Sequence, residues 1–219
     1  MAQKSGGDKV TRYLVIGMVI FVVLVGTIFS VMSNQSKNAA IPSTVSKADG
    51  YGIVFNGDVK GKTVDIWEDL QCPICQQFEN INGSYIKSLV DAKKTKVVFH
   101  LLSFIGTESV LAANSLACAQ DEGKFLPLHA YLYAHQGKEN TGTWSNAALI
   151  KSGAAVGLTS SKFVSCVDKG TYSAWVANVA NDGSAQKVTS TPTVKVNGKE
   201  IDRNTQYMDA AAFKKAVEG

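Results

Sequence analysis

No run of five or more basic residues occurs in this chain of 219 residues, and its formal net charge is only +4. That argues against a nucleic-acid surface, which needs a basic patch or stripe. No internal repeat is visible, which sets aside arrays of stacked repeats. Cysteine is sparse: there are four, and only Cys72 and Cys75 stand close together. A Cys-x-x-Cys pair can be half of a zinc site, but zinc needs further ligands, usually a second close pair. Cys118 and Cys166 are far apart with no close histidine, so no metal ligand set is expected.

Charge is also missing from Tyr13 to Met32, a run of 20 residues. As a helix this run spans roughly 30 Å, about the hydrocarbon thickness of a bilayer. A cleaved signal peptide is the competing reading, but its apolar stretch is typically shorter, about 7–15 residues. The nearest small-x-small candidate, Val31-Met32-Ser33, is also poor. Lys4, Lys9 and Arg12 precede the run, and Lys37 and Lys47 follow it. This small bias favours a cytoplasmic N-terminus. The expectation is a cytoplasmic segment over 1–12 and a single transmembrane helix over 13–32, set in the lipid bilayer of the cell membrane. A flexible tether over 33–50 and an extracytoplasmic domain over 51–219 would follow.

The remaining segment suits one well-buried core. Tyr51–Phe55, Thr63–Trp67 and Lys96–Leu102 read as strands, the last apolar almost throughout, as an interior strand would be. A helix follows the cysteine pair, with Asn82-Gly83 as a candidate break. From about 107 to 187 the strand signal disappears and five helical segments follow one another, several preceded by Ser or Thr as N-caps. Pro192–Val196 alternates as a strand, Asn197-Gly198 is a two-residue hairpin signal, and Lys199–Ile201 returns. Asp209–Val217 reads as a final helix. The order gives a mixed α/β fold with a helical insertion.

The chemistry lies in Cys72-Pro73-Ile74-Cys75. A cysteine at a helix N-terminus meets free N–H groups and the positive end of the dipole, which favour the thiolate. Such motifs lower a cysteine pKa from about 8.5 to roughly 3.5–7. A stabilised thiolate leaves easily, so the disulfide of the pair becomes oxidising. Pro73 fits the first helical turn, where its missing N–H is not needed. A structural disulfide, a zinc half-site or a copper site are the competing readings.

Asp69-Leu70-Gln71-Cys72-Pro73-Ile74-Cys75 resembles the active-site segment of DsbA-like thiol–disulfide oxidoreductases, of the kind found membrane-anchored in actinobacteria. Leu116–Phe125 and Lys162–Cys166 are similar to that family's helical insertion, and Thr191–Gly198 is similar to its last strand. The resemblance implies a thioredoxin-like fold with a helical insertion, and no cofactor beyond the redox-active Cys72–Cys75 disulfide. It implies that Cys72 attacks and carries the mixed disulfide, that Cys75 resolves it, and that Thr191 and a cis-Pro192 receive substrate backbone. It further implies a structural Cys118–Cys166 disulfide, with two buried free thiols as the alternative. Glu68 and Asp69 are candidates for proton transfer, against the reading that both are exposed loop carboxylates. Substrates would be exported, reduced or unfolded proteins, with a membrane reoxidase of the DsbB or VKOR type as partner. An isomerase or reductase, and a thiol-dependent metal-binding protein without turnover, remain the rivals. The best-known members carry His where this chain has Ile74, which leaves the strength of the oxidant open. His100, His129 and His135 lie away from the motif and are expected to be structural or surface residues. Phe125, Leu128, Tyr131 and Leu132 recur at helical spacing and are expected in the core.

Overall fold

A computed structural model describes residues 39–219. The expected membrane segment and the N-terminal part of the tether lie outside the described residues. Among those described, no helix is long and apolar enough to cross a membrane. The compact unit begins at Ala40. Part of the expected tether therefore belongs to the fold: Pro42 is buried, and Val45–Ser46 forms a short strand, β1. It pairs antiparallel with β2 (Gly52–Phe55). Few apolar residues mark this stretch, because its hold is backbone pairing.

The rest of the sheet follows from alternation. In β3 (Thr63–Glu68) Val64 and Ile66 are fully buried, and Trp67 fills the other face. β3 runs parallel to β4 (Lys96–Leu101), and the crossover between them is α1 (Pro73–Ala92). β5 (Thr193–Val196) lies antiparallel on the other side of β3, and β6 (Lys199–Glu200) closes a hairpin with it. Asn197 and Gly198 both take positive φ, 49° and 78°, as a type I′ turn requires. The strand order is β1-β2-β4-β3-β5-β6.

α1 continues through Asn82-Gly83, so the candidate break is corrected. Asn82 is 1% exposed, and its side-chain amide donates to the Phe78 carbonyl and, at 2.8 Å, to that of Tyr207. These partners offset the low helix propensity of the Asn-Gly pair. Phe78 seats α1 against Phe213 of the last helix, α8 (Ala210–Glu218), with ring centroids 5.3 Å apart.

The insertion comprises α2 (Thr107–Gln120), α3 (Phe125–Ala134), α4 (Asn146–Ala155), α5 (Ser161–Lys169) and α6 (Ser173–Ala185). Ser145 and Ser160 cap α4 and α5 by accepting from Ala148 and Phe163 N–H groups. α2 is buried along most of its length, and a disulfide joins its Cys118 to Cys166 of α5. The short helix α7 (Arg203–Gln206) leads into α8. Phe125, Leu128 and Leu132 enter the core, and Tyr131 is half-buried.

Candidate active site

Cys72 is the N-cap of α1, with Pro73 as the first helical residue. Its own N–H donates to the Asp69 carbonyl at 2.9 Å, and its carbonyl accepts from Gln76 N–H at 3.1 Å. The Cys72 thiol lies 3.6 Å from the Thr191 carbonyl oxygen, and the Thr191–Pro192 peptide is cis. The structure thus brings together Cys72, Cys75, Thr191 and Pro192, which are separated by up to 120 positions of chain.

The two thiols are unlike. Cys72 is 8% exposed and Cys75 fully buried, and they are not bonded to each other. The Cys72 pKa is lowered to about 6, chiefly by the hydrogen bond from the Cys75 thiol. Burial works against this, while Thr191 and the N–H groups of Cys75 and Ile74 assist it. Burial pushes Cys75 well above the ordinary thiol range; its hydrogen bond to Cys72 and the charges of Cys72 and Glu68 add to that.

The two acids before the motif are not exposed loop carboxylates: Glu68 and Asp69 are both 0% exposed. Asp69 Oδ1 accepts from the Ser109 hydroxyl at 2.6 Å and Gln71 N–H at 2.9 Å, and Oδ2 accepts from Ile105 N–H at 3.1 Å. Burial raises its pKa and these bonds pull it partly back. Glu68 is the last residue of β3 and shares its face with Val64 and Ile66. Its Oε1 meets His129 Nε2 of α3 at 2.5 Å.

His129 had been expected in a structural or surface role; it is buried against Glu68, and Glu79 of α1 lies 3.9 Å from its Nδ1. Burial opposes the charge of His129, but Glu68 and Glu79 raise its pKa overall. Burial lifts Glu79 to about 8 against the pull of His129. A signal for His129 existed in the sequence. Phe125, His129 and Tyr133 stand four apart, so all three share one helical face. His100 stacks on Trp67 at 4.1 Å on the opposite face of the sheet, and His135 is exposed at the end of α3.

Beside Cys72 a groove of about 560 Å³ runs between Gln71, Pro73, Gln76, Gln136 and Lys138. Its walls are braced: Gln136 donates to the carbonyls of Leu70 (2.8 Å) and Cys72 (3.1 Å), and Gln71 accepts from Asn140 N–H at 2.7 Å. Ile74 and Phe104 are exposed apolar residues, 45% and 49% accessible.

An activated thiol over a buried partner thiol, at the head of a helix and against a cis-proline turn, can exchange disulfides with another protein. That is the chemistry of a thiol–disulfide oxidoreductase. Comparison with known proteins agrees. The thioredoxin family matches residues 51–218, and comparison with curated proteins gives no match. Among solved structures, MdbA of Actinomyces oris, a thiol–disulfide oxidoreductase, superposes with a TM-score of 0.70 at 24% identity over 84% of this chain and 91% of that one. The disulfide bond oxidoreductase DsbG of Mycobacterium tuberculosis gives 0.65 at 25% identity over 78% and 87%. DsbA of the same organism gives 0.64 at 25% identity over 76% and 91%. The chain belongs to the thioredoxin family and is a DsbA-like thiol–disulfide oxidoreductase.

Proposed function

We propose that this oxidoreductase is an oxidase that donates a Cys72–Cys75 disulfide to exported proteins. The observation that carries this is the contrast between the two thiols: Cys72 is held at about 6 while Cys75 is pushed up. A stabilised Cys72 thiolate favours the reduced enzyme, so the disulfide tends to give up its oxidising power. A substrate thiolate attacks Cys72 Sγ, the Cys72–Cys75 bond breaks, and the electron pair leaves on Cys75 sulfur, which takes up a proton. A second substrate thiolate then attacks the substrate sulfur of the mixed disulfide, and Cys72 departs as thiolate. Thr191 and Pro192 receive the substrate backbone beside the motif by strand-like pairing. Of the two acids, Asp69 is committed to holding its loop, whereas Glu68 Oε2 is buried without a hydrogen-bond partner among the described residues. Glu68 is therefore the acid assigned to proton exchange with Cys75.

The uncharged run at 13–32 supports a membrane anchor with the domain outside the cytoplasm. An anchor raises the effective concentration of a membrane reoxidase of the DsbB or VKOR type. The test is the reduction potential of the pair by equilibrium with glutathione. An oxidase lies near about −120 mV and a thioredoxin-like reductase near about −270 mV. A value at the reducing end would replace the oxidase with the reductase.

A further inference from the structure

Glu79 is buried without adequate pairing. Its side chain is 7% exposed, and its Oε2 stands 3.9 Å from His129 Nδ1. Its Oε1 is buried with no hydrogen-bond partner among the described residues. The far side of the same imidazole is held by Glu68, whose side chain is 1% exposed. One histidine thus sits between two buried carboxylates. Among the described residues, the ion pairs formed by lysine and arginine involve other acids. Among the described residues Glu79 Oε1 thus lacks a donor, and a cation in front of His129 Nδ1 would supply the missing partner.

We propose that His129 Nδ1 and the Glu79 carboxylate bind a divalent transition-metal ion of the zinc class, with Glu68 orienting the ring through Nε2. A carboxylate behind a metal-binding histidine fixes its tautomer and leaves the other nitrogen free for the metal. Two bonds of about 2.0–2.1 Å at a tetrahedral angle place their nitrogen and oxygen about 3.3–3.4 Å apart. The distance found is 3.9 Å, so a small rotation of Glu79 closes the site. Ligand atoms of all three residues lie within 4.8 Å of one another. Imidazole with carboxylate suits zinc, whereas calcium and magnesium favour oxygen-only sets.

The surroundings leave room for the ion. A cavity of about 280 Å³, lined by Glu79, His129, Asn80, Ser84 and Tyr133, opens beside the cluster and has space for waters to complete the coordination. One turn on from Glu79, Gly83 keeps that space clear, since a Cβ there would stand 2.9 Å from Glu79 Oε2. The bound ion would tie α1 to α3 and, through Glu68, to β3.

The test is equilibrium dialysis of the full-length chain in detergent against micromolar zinc chloride, with Cys72 and Cys75 oxidised to a disulfide so that thiols do not contribute. One zinc per chain is expected by elemental analysis, with a melting temperature raised by zinc. Glu79→Gln, which keeps the shape of the side chain, should weaken binding at least about tenfold and abolish that rise. His129→Gln should do the same; if it fails to fold, Glu79→Gln decides. Excess calcium or magnesium should leave the zinc in place. Absence of stoichiometric zinc in the wild type, unchanged binding in a folded Glu79→Gln variant, or displacement by calcium would each overturn the proposal.

Discussion

Replacing Cys75 by alanine tests the electrostatics at Cys72 directly. The Cys72 pKa falls from 9.0 to about 6, and the hydrogen bond from the Cys75 thiol is the largest cause. A hydrogen bond to a charged acceptor contributes about 1.5–3 kcal/mol, and one pH unit equals 1.36 kcal/mol. Cys75→Ala should therefore raise the Cys72 pKa by about 1–2 units, to about 7–8. The N–H groups of the first helical turn stay in place and keep it below the free-thiol value. The ultraviolet absorbance of the thiolate and the pH dependence of alkylation both read this shift. At pH 7 a thiol with a pKa of about 6 is roughly nine-tenths ionised, and one at 7–8 is half to one-tenth ionised. A variant that titrates at or below about 6 would refute the reasoning. The same group sets a pH dependence of stability. Its folded pKa is depressed, so reduced protein gains stability as pH rises from about 6, holds all of it above 9.0, and loses it on acidification through 6. At pH 7 the gain is at most about 1.4 kcal/mol, and less once solvent screening at the exposed edge of the sulfur is included. The disulfide form lacks it, so the reduced-minus-oxidised stability difference should climb between pH 6 and 9 in chemical denaturation.

Two further outcomes concern stability. The Cys118–Cys166 bond spans a sequence separation of 48. Its replacement by a pair of alanines should cost about 4 kcal/mol in the chain-entropy treatment; a loss under about 1 kcal/mol in urea denaturation would show that the insertion is held by packing alone. Gly153 of α4 faces Phe163 of α5 so closely that a Cβ would stand 2.3 Å from the ring. Gly153→Ala should therefore destabilise by about 1–3 kcal/mol through overpacking, despite its better helix propensity, and a stabilised variant in the same assay would contradict that packing.

The sequence showed most clearly what depends on local pattern. The type I′ turn at Asn197-Gly198, the cap at Ser160, and the thiol pair at the head of a helix all sit within a few residues of their signals. The features that escaped depend on residues far apart in the chain. Nothing near Asn82-Gly83 shows that the Tyr207 carbonyl will accept from Asn82 and keep α1 whole. Nothing near Val45 shows that it will pair opposite Ile53. Glu68 and Asp69 looked like loop acids because their burial depends on α2 and α3: Ser109 bonds one and His129 the other. The Glu68–His129–Glu79 cluster draws on one strand and two helices, so no spacing rule finds it. The helical face shared by Phe125, His129 and Tyr133 was the one available hint.

The disulfide between α2 and α5 bears on how the molecule matures. Cys118 is 1% exposed, whereas its partner Cys166 is only half-buried, so an incoming oxidant meets Cys166 first. In the closed insertion the bond is therefore made and unmade through Cys166. Forming this bond removes two electrons from the pair of thiols, so a newly made chain needs an oxidant of its own before the bond can hold α2 to α5.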